Sequence, residues 1–398
     1  MLRSLFSGIT GLRAHQTMLD VTGNNIANVN TAGFKSSQTV FEDTLSQLLQ
    51  ASGAPSGANG GTNPAQVGLG VKVAGITTNF AQGAAQNTGR ATDLMIQGDG
   101  LFAVKQDGQD LFTRSGSFNF DANGRLVTQD GAIVQGWGAV NGVVSSSQPP
   151  GAITLPVSAM LAPQATTTGA LGGNLDAATA VGGVVASSMV AYDPQGAAHT
   201  ISYTFTKTAA DTWTMDAAEG ATALGSSTLT FGPTGALTSA SPVSVTAPWG
   251  GAIAVDATGL TQYGGTPSAT VTSQGGGSAP GTLQGFTISP DGTLVGVFSN
   301  GLKQNLGQVA LATFVNPAGL EKSGNSTYRA SADSGTAQIG VAGTGGRGKL
   351  ASGLLEMSNV DLAQEFTNLI IAERGFQANS RVITTSDEIL QDLVQLKR

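Results

Sequence analysis

Cysteine is absent from the 398 residues of the chain. This absence excludes disulfides, thiolate nucleophiles and cysteine metal sites. Histidine is nearly absent as well, because His15 and His199 are the only two. They lie far apart in the sequence, which offers neither a two-histidine metal site nor a histidine-based catalytic triad. We therefore expect no metal and no cofactor. A hydrolase that uses two carboxylates stays open on the residues alone, although no pair of acidic residues favours it.

Charge is also scarce. Lys and Arg number 18 against 25 Asp and Glu, which gives a net charge of −7, and only 11% of residues are charged. A nucleic-acid surface requires clustered positive charge, so we expect no nucleic-acid partner. The apolar content of 40% is too high for global disorder. A large neutral surface of this kind can be covered by other protein.

Long apolar runs are missing too. No stretch approaches the ~18 apolar residues that a membrane-spanning helix requires. The first residues, "MLRSLFSGITGLRAHQTML", are interrupted by polar side chains too often for a cleaved secretory signal. We expect no membrane insertion, and export by a route without a cleaved signal if the protein is exported.

Two segments resemble ligand-binding motifs without meeting their chemical requirements. "GTGGRGKL" (343–350) has the glycine and lysine spacing of a phosphate-binding loop, but Leu350 stands where a magnesium-binding Ser or Thr is needed. "DANG" (121–124) begins like a calcium loop but lacks the distal bidentate acid. We interpret the first as a glycine-rich connection and the second as a hairpin turn.

Both ends of the chain carry apolar residues at heptad spacing, which is typical of helices that pair as a coiled coil. The N-terminal seam consists of Leu5, Ile9, Leu12, Leu19 and Ile26, and the C-terminal seam of Leu362, Phe366, Leu369, Phe376, Ile383 and Leu390. A simpler alternative is two helices packed separately on a globular core. The C-terminal segment is apolar on more than one side, so it needs more than one neighbour. We expect these seams to be polymerisation contacts that order both ends.

Four asparagines follow the first heptad seam, in "DVTGNNIANVNTAGFKSS" (20–37). The predicted joint residues are Asn24, Asn25, Asn28, Asn30, Gly33 and Phe34. Glycine permits a left-handed turn, and an amide offers both a donor and an acceptor without charge. Plain helix termination accounts for Asn28 and Asn30, but less well for Asn24 and Asn25. Alanine at either of the latter two is expected to harm assembly more than subunit stability.

Between the ends the apolar period changes to two. Turn signals at Asp107-Gly108, Asn123-Gly124, Asp130-Gly131 and Asp291-Gly292 separate short runs of β-forming residues. They predict one β-domain made from two chain segments. Linkers of flexible composition, Ser145–Gly151 and Ser273–Gly281, enclose a separate β-sandwich or barrel and are expected to act as hinges.

The predicted fold class is mainly β with terminal α-helices, arranged as concentric discontinuous domains. Residues 1–30 and 360–398 form the terminal coiled coil, and 31–70 with 350–359 form a connecting region that includes a low-complexity loop at 50–70. Residues 71–145 and 285–349 form the middle β-domain, and 146–284 form the inserted outer β-domain.

Several stretches resemble the bacterial flagellar rod and hook proteins. "NNIANVNTAGFKSS" resembles the N-terminal signature of that family, and residues 358–398, beginning "SNVDLAQEFTNLIIAERGF", resemble its C-terminal segment. "IQGDGLFAV" and "FTRSGSFNFDANGRLVTQDGAIVQGW" resemble its shared β-domain. The large insertion favours a hook member of the family over a distal rod member.

The resemblance implies a non-enzymatic building block of the flagellum that lies outside the cell after export. Such a subunit polymerises into a curved tube, the universal joint that transmits torque from rod to filament, with its terminal helices lining the channel. The implied partners are further copies of itself, the distal rod protein, the hook cap, the hook–filament junction protein and the flagellar type III export apparatus. The alternatives left open are a distal rod-type subunit, a secreted β-rich adhesin or binding module, and an enzyme with a β-helix or sandwich core.

Overall fold

The structure is a computed structural model that describes residues 2–55, 57, 60–156 and 160–395. Residues 1, 56, 58, 59, 157–159 and 396–398 were assigned above to predicted domains and lie outside the described residues. The fold is mainly β, with a helix at each end that packs against the other, so the predicted fold class is confirmed.

The terminal helices begin and end at identifiable residues. Helix α1 spans Leu2–Ala27, and α2 spans Leu362–Gln395. The carboxylate of Asp361 accepts the backbone N–H of Ala363 at 2.9 Å and thereby caps the start of α2. Within the described residues, no helix is both long and apolar enough to span a bilayer.

The strands that connect the helices are short and numerous. In chain order they are β1 (Ser37–Asp43), β2 (Ser46–Gln50), β3 (Ala65–Gly68), β4 (Val71–Thr78), β5 (Ala85–Asn87), β6 (Leu94–Gln97), β7 (Leu101–Gln106), β8 (Gln109–Thr113), β9 (Phe118–Phe120), β10 (Leu126–Thr128), β11 (Ile133–Val140), β12 (Val143–Val144), β13 (Gly151–Ala152), β14 (Met160–Leu161), β15 (Thr168–Asn174), β16 (Val184–Tyr192), β17 (Ala198–Ala209), β18 (Thr212–Glu219), β19 (Thr222–Thr230), β20 (Val243–Thr246), β21 (Ala252–Thr261), β22 (Thr270–Ser273), β23 (Gly281–Ile288), β24 (Thr293–Phe298), β25 (Lys303–Thr313), β26 (Glu321–Gly324), β27 (Thr327–Arg329), β28 (Gln338–Val341), β29 (Lys349–Ser352) and β30 (Leu354–Glu356).

The chain forms two compact units. Unit 1 contains Met1–Leu155, Thr287–Val295 and Asn305–Arg398, and unit 2 contains Pro156–Phe286 and Gly296–Gln304. The predicted linker Ser145–Gly151 thus belongs to unit 1 and Ser273–Gly281 to unit 2. The finer division of unit 1 into helices, connecting region and middle β-domain remains a prediction.

The sheet of unit 1 is built around β11, which pairs antiparallel with β7, β10, β12, β13 and β25. Strand β7 continues the sheet to β8, then to β27 and β26. The predicted Asp107-Gly108 turn joins β7 to β8, and Asp107 has a φ of +50° there. Aromatic contacts fill the core beneath, with ring centroids of Phe102 and Phe118 5.0 Å apart. Local turn chemistry therefore positions the strands that surround the candidate site.

Smaller strand pairs connect α1 and α2 to this sheet. Strand β1 pairs with β4, β2 with β3, β5 with β30, and β6 with β29. The low-complexity stretch at 50–70 thus supplies one strand of a two-stranded ribbon. Lys349, the lysine of the phosphate-loop resemblance, begins strand β29 instead of preceding a helix. That placement supports the interpretation of residues 343–350 as a glycine-rich connection.

Unit 2 is a sandwich of two four-stranded sheets around one core. Strands β16, β17, β18 and β19 form an antiparallel meander, and β20, β21, β15 and β22 form the second sheet. Tyr203, Phe205 and Trp213 of the first sheet share the core with Leu171 and Val255 of the second. A core of this kind excludes water without help from any charged group.

Candidate functional site at the helix joint

Helices α1 and α2 pack antiparallel through glycine notches. A Cβ atom added at Gly11 would lie 2.7 Å from the side chain of Asn379, and one at Gly375 would lie 2.5 Å from the His15 ring. Nearer the other end of the pair, Asn25 donates to Glu365. Residue numbers rise along α1 as their partners fall along α2, which fixes the antiparallel direction.

The predicted apolar seams flank this contact. The buried positions of the pair are small or polar: Gly8, Gly11, Ala14, Thr22 and Asn25 on α1, and Ala372 and Ser386 on α2. The predicted seam residues Leu5, Ile9, Leu12, Leu19, Ile26, Leu369, Phe376, Ile383 and Leu390 are only half-buried, and Leu362 and Phe366 are exposed. Small residues bring the helix axes close, so the larger side chains are displaced to the rims.

Apolar side chains also line two exposed flanks of α2. Leu362, Phe366 and Ile370 lie four residues apart on one flank, where Phe366 is 51% and Ile370 56% exposed. Ile371 and Ile389 lie on the other flank and are likewise exposed. We call these sets the first and second α2 flanks. Neither is covered by α1.

The asparagines of the predicted joint have different environments. Asn25 is 1% exposed; its side chain accepts the Ser37 N–H at 3.0 Å and donates to the Ser37 carbonyl at 2.8 Å and to Glu365 Oε1 at 2.9 Å. Asn25 therefore joins α1, β1 and α2 inside the subunit. Asn24 and Asn30 are exposed, and Asn28 bonds back to the Asn24 carbonyl at 2.9 Å where α1 ends.

Gly33 and Phe34 lie in the turn that follows. Gly33 has a φ of +70°, donates its N–H to the Glu356 carbonyl at 2.7 Å, and leaves no space for a Cβ, which would lie 2.5 Å from the Ser115 nitrogen. Both conformation and close approach therefore require glycine here. Phe34 is buried, with Lys322 Nζ 5.0 Å from its ring centroid.

Three buried charges lie next to this turn, from three distant parts of the chain. Lys35 Nζ and Arg114 Nε each lie 2.6 Å from a different carboxylate oxygen of Glu356. Lys35 precedes β1, Arg114 follows β8, and Glu356 ends β30. We call Lys35, Arg114 and Glu356 the charge triad. None of the three is among the site residues predicted from the sequence.

Hydrogen bonds satisfy most of the remaining polar capacity of the triad. Lys35 also donates to the Ala81 carbonyl at 2.8 Å, and the Gly83 N–H donates to Glu356 at 2.8 Å. Arg114 donates to three carbonyls, those of Ile96, Gly98 and Gly100. Buried charges are tolerated when they are paired and bonded in this way.

The electrostatics of the triad favour a charged Glu356. Burial alone would raise the pKa of Glu356, but the Arg114 charge and the hydrogen bonds from Arg114, Lys35 and Gly83 outweigh it and lower the pKa. Burial lowers the pKa of Lys35, and the second cation, Arg114, adds to that effect against the opposing attraction of Glu356. The triad carries a formal charge of +1, so Glu356 holds two cations together.

Asn359 completes the joint between the two ends of the chain. Its Oδ1 accepts the Ser36 N–H at 2.8 Å, and its Nδ2 donates to the carbonyls of Asn79 and Ala81 at 2.8 and 3.1 Å. A signal for the missed residues was present, because charge is scarce and Lys35 lies among apolar and small residues. Sequence alone could not identify their partners.

Comparisons with known proteins match this architecture segment by segment. The family model "Flagella basal body rod protein" matches residues 5–35, and "Flagellar hook protein FlgE/F/G D1 domain" matches 95–169. "Flagellar basal body protein FlaE D2 domain" matches 166–289, and "Flagellar basal body rod FlgEFG protein C-terminal" matches 351–396. The matched ends contain both halves of the joint.

Whole-chain relatives agree with these matches. The chain is 38% identical to the flagellar hook protein FlgE of Treponema pallidum and 34% identical to the flagellar basal-body rod protein FlgG of Bacillus subtilis, with 100% of both chains covered in each case. The chain belongs to the flagellar hook and rod protein family. A crystal structure of Helicobacter pylori flagellar hook protein FlgE2 has the same fold, with a TM-score of 0.52 at 13% identity, over 68% of this chain and 100% of that one.

Membership of the flagellar hook and rod family confirms the resemblance seen in the sequence. The chain is a structural subunit of the bacterial flagellar hook, outside the cell, and is not an enzyme. The family is one of self-assembling axial polymers. The joint is accordingly a structural site, which connects the paired helices to the sheet of unit 1 and catalyses no reaction.

Proposed function

We propose that the subunit polymerises through its terminal helices into a short curved tube, with the predicted seams and the two α2 flanks buried between neighbouring copies. A head-to-tail interface that does not close on itself produces a helical polymer. The tube acts as the universal joint that transmits torque from the rod to the filament. The charge triad keeps the helix pair attached to the sheet of unit 1 while contacts between copies change.

The observation that carries this proposal is the exposure of both α2 flanks. A helix that has already buried one side against α1, and still presents apolar residues on two others, requires further neighbours. The ribbon of β2 and β3 adds to the uncovered apolar surface, because Leu45, Leu48 and Leu49 beside or within it are exposed. An isolated two-stranded ribbon is marginal in water and benefits from such a cover.

The specific partners also belong to this proposal. We infer that the tube begins on the distal rod protein, grows beneath the hook cap and ends at the hook–filament junction protein. The subunits reach the growing end through the flagellar type III export apparatus. The absence of cysteine suits that route, because an unfolded chain without thiols cannot cross-link in transit.

Charge placed on the first α2 flank provides the test. The Phe366→Lys, Ile370→Lys double variant is compared with Phe366→Leu, Ile370→Leu, which keeps the same positions apolar. Sedimentation and electron microscopy under polymerising conditions should show tubes from the wild type and the leucine variant, and monomers from the lysine variant. Normal tubes from the lysine variant would contradict a buried flank, provided its circular dichroism matches the wild type.

The shape of the tubes tests the finer part of the proposal. Curved tubes are expected of a hook subunit. The full-length similarity to a FlgG rod protein makes a distal rod-type subunit the second candidate, for which straight tubes are expected. Straight tubes from purified wild-type protein would therefore replace the universal-joint role with a rod role and leave the polymerisation surface unchanged.

A further inference from the structure

Asn–Gly pairs in this chain differ in how firmly their backbone is held. Asparagine followed by glycine is chemically labile, because the glycine nitrogen can attack the asparagine amide without obstruction from a side chain. The described residues contain three such pairs: Asn123-Gly124, Asn141-Gly142 and Asn300-Gly301. A fourth, Asn59-Gly60, includes a residue outside the described part. The attack requires a free glycine N–H and a turn that can change shape.

The Asn123-Gly124 pair is fixed on both sides. Gly124 donates its N–H to the Asp121 carbonyl at 2.9 Å and accepts the Leu155 N–H at 2.6 Å. The Asn123 N–H donates to the Asp121 carboxylate at 2.9 Å. The nitrogen that would attack is therefore engaged, and its turn is tied to a distant segment of unit 1.

The Asn300-Gly301 pair is fixed through its side chain as well. Asn300 Nδ2 donates to the Ala279 carbonyl at 2.9 Å, and its Oδ1 accepts the Leu302 N–H at 3.1 Å. The Gly301 N–H donates to the Phe298 carbonyl at 2.9 Å. The amide carbon of Asn300 cannot turn towards Gly301 without loss of these bonds.

Asn141-Gly142 has none of this protection. The two residues form a hairpin turn between Val140 and Val143, with φ of +52° and +78°. Asn141 is exposed, and neither its side chain nor the Gly142 N–H makes a hydrogen bond to any residue that the structure describes. Strand β12 is only two residues long, so this turn can open locally at little cost.

We propose that Asn141 is the preferred deamidation site among these three pairs in the folded subunit. A water-derived base removes the proton of the Gly142 N–H, and the Gly142 nitrogen then forms a bond to Asn141 Cγ. The Cγ–Nδ2 bond breaks, and ammonia leaves with a proton taken from water. The resulting succinimide adds one water at either carbonyl and opens to aspartate or isoaspartate, with no oxidant or reductant involved.

The product changes the character of this hairpin tip. Val140 and Val143 are 74% and 70% exposed, and the position between them is neutral before the reaction. Afterwards a carboxylate lies between two exposed valines, and in the isoaspartate form the main chain is one atom longer. The reaction needs only water, so the modified fraction rises with the age of the subunit outside the cell.

Peptide mapping by mass spectrometry tests the proposal. Full-length protein is incubated in warm, mildly alkaline buffer, folded or in urea, and conversion is followed at all three sites. In the folded protein, position 141 is expected to convert several-fold faster than positions 123 and 300, and urea should bring the three rates together. Equal rates in the folded protein, or faster conversion at 123 or 300, would overturn the proposal.

Matched variants exclude an effect of global unfolding. Asn141→Gln should remove most of the conversion summed over the three mapped sites of the folded protein, whereas Asn123→Gln should leave that sum nearly unchanged, since glutamine cyclises far more slowly than asparagine. Both variants keep an amide at the site, and equal melting temperatures would show that the fold is preserved. Summed conversion at the three mapped sites that survives in Asn141→Gln would refute the assignment.

Discussion

Two buried lysines show how differently the two units are stabilised. Lys35 in unit 1 is 0% exposed and pairs with a carboxylate 321 positions along the chain. Lys207 in unit 2 is 4% exposed, donates to the Ala177 carbonyl at 2.6 Å and lies 5.8 Å from the centroid of the Trp213 ring. The first lysine connects distant parts of unit 1, whereas the second satisfies a nearby carbonyl at the edge of an apolar core.

In unit 1, buried polar groups attach distant parts of the chain to one another. In unit 2, the buried lysine makes only a local contact. The helix pair buries few large side chains, so it depends on the charge triad and the Asn25 bonds for its connection to the sheet. The sandwich has a large apolar core and can lose a polar contact without losing its fold.

Removal of the anion at the centre of the triad should have the largest effect. Glu356→Gln leaves Lys35 and Arg114 buried without a countercharge, and we expect unit 1 to lose about 3–5 kcal/mol of stability. Hydrogen exchange with mass spectrometry should show faster exchange in unit 1 peptides and unchanged exchange in unit 2.

The matched control is Glu321→Gln, which breaks the exposed pair between Glu321 and Arg329. That change should cost at most about 1 kcal/mol, because exposed ion pairs contribute little. Equal exchange in the Glu321 and Glu356 variants would show that burial of the triad is energetically unimportant.

Replacement of each buried lysine by methionine should cost the two units different amounts of stability. Lys35→Met removes two strong bonds of the joint and should cost about 3 kcal/mol, whereas Lys207→Met removes one and should cost about 1 kcal/mol. Urea denaturation followed by unit-specific hydrogen exchange provides both values. A larger loss from Lys207→Met would reverse the proposed division between the units.

Two adjacent asparagines of unit 1 differ in burial, since Asn25 is buried and Asn24 is exposed. Asn25→Ala removes the bonds to Ser37 and Glu365 and should cost about 1–3 kcal/mol, because it leaves buried backbone groups unpaired. Asn24→Ala, at an exposed position, should change stability by less than about 0.5 kcal/mol. Alanine at either position is still predicted to harm assembly more than subunit stability, and Asn25→Ala is the stricter test because it also removes bonds inside the subunit. Thermal melts of the monomer and polymerisation assays, run together, separate the two roles.

The smallest expected effect is a pH dependence that differs between the units. In unit 2, the hydrogen bond from His199 to Glu219 at 2.6 Å raises the pKa of His199, against burial, and Asp193 at 3.6 Å adds to the rise. The raised pKa stabilises unit 2 fully below about pH 6.5, and this contribution disappears as pH rises through the pKa of the folded state. Glu356 has a lowered pKa, so its contribution to unit 1 is lost only as pH falls through that value.

Thermal melts should therefore show that the stability of unit 2 falls slightly as pH rises across the neutral range. His199→Gln should remove this dependence on pH. The loss of stability at acidic pH does not distinguish the two units, because Asp193 and Asp256 of unit 2 also have lowered pKa values. Hydrogen bonds from the Thr258 N–H and from Ser241 lower the pKa of Asp256. A neutral slope that persists in the variant would assign it to another group.

Local patterns predicted much of the fold. Heptad spacing identified both helices, and the Asp-Gly and Asn-Gly pairs marked hairpin turns, since turn conformation depends on a few neighbouring residues. The glycine notches at Gly11 and Gly375 were missed, because a search for apolar periodicity ignores residues without side chains. The helix contact is therefore made by residues that the pattern left out.

The site was predicted in part. The asparagine cluster and Gly33 marked the place where α1 ends, because their chemistry is local. Arg114 and Glu356 carry no local signal, since each acquires its role from partners that only the completed fold brings near. Asn24 and Asn25 are adjacent and identical, and only their burial distinguishes them.

The long separation between Lys35 and Glu356 has a kinetic consequence. The anion of the triad is contributed by the last strand, so a chain that emerges from its N-terminus carries both cations long before it carries their partner. Contacts between such distant residues form slowly, because most of the intervening chain must first be placed. The joint is thus among the last parts of unit 1 to become stable, and a nascent or partly transported chain stays open until Glu356 arrives.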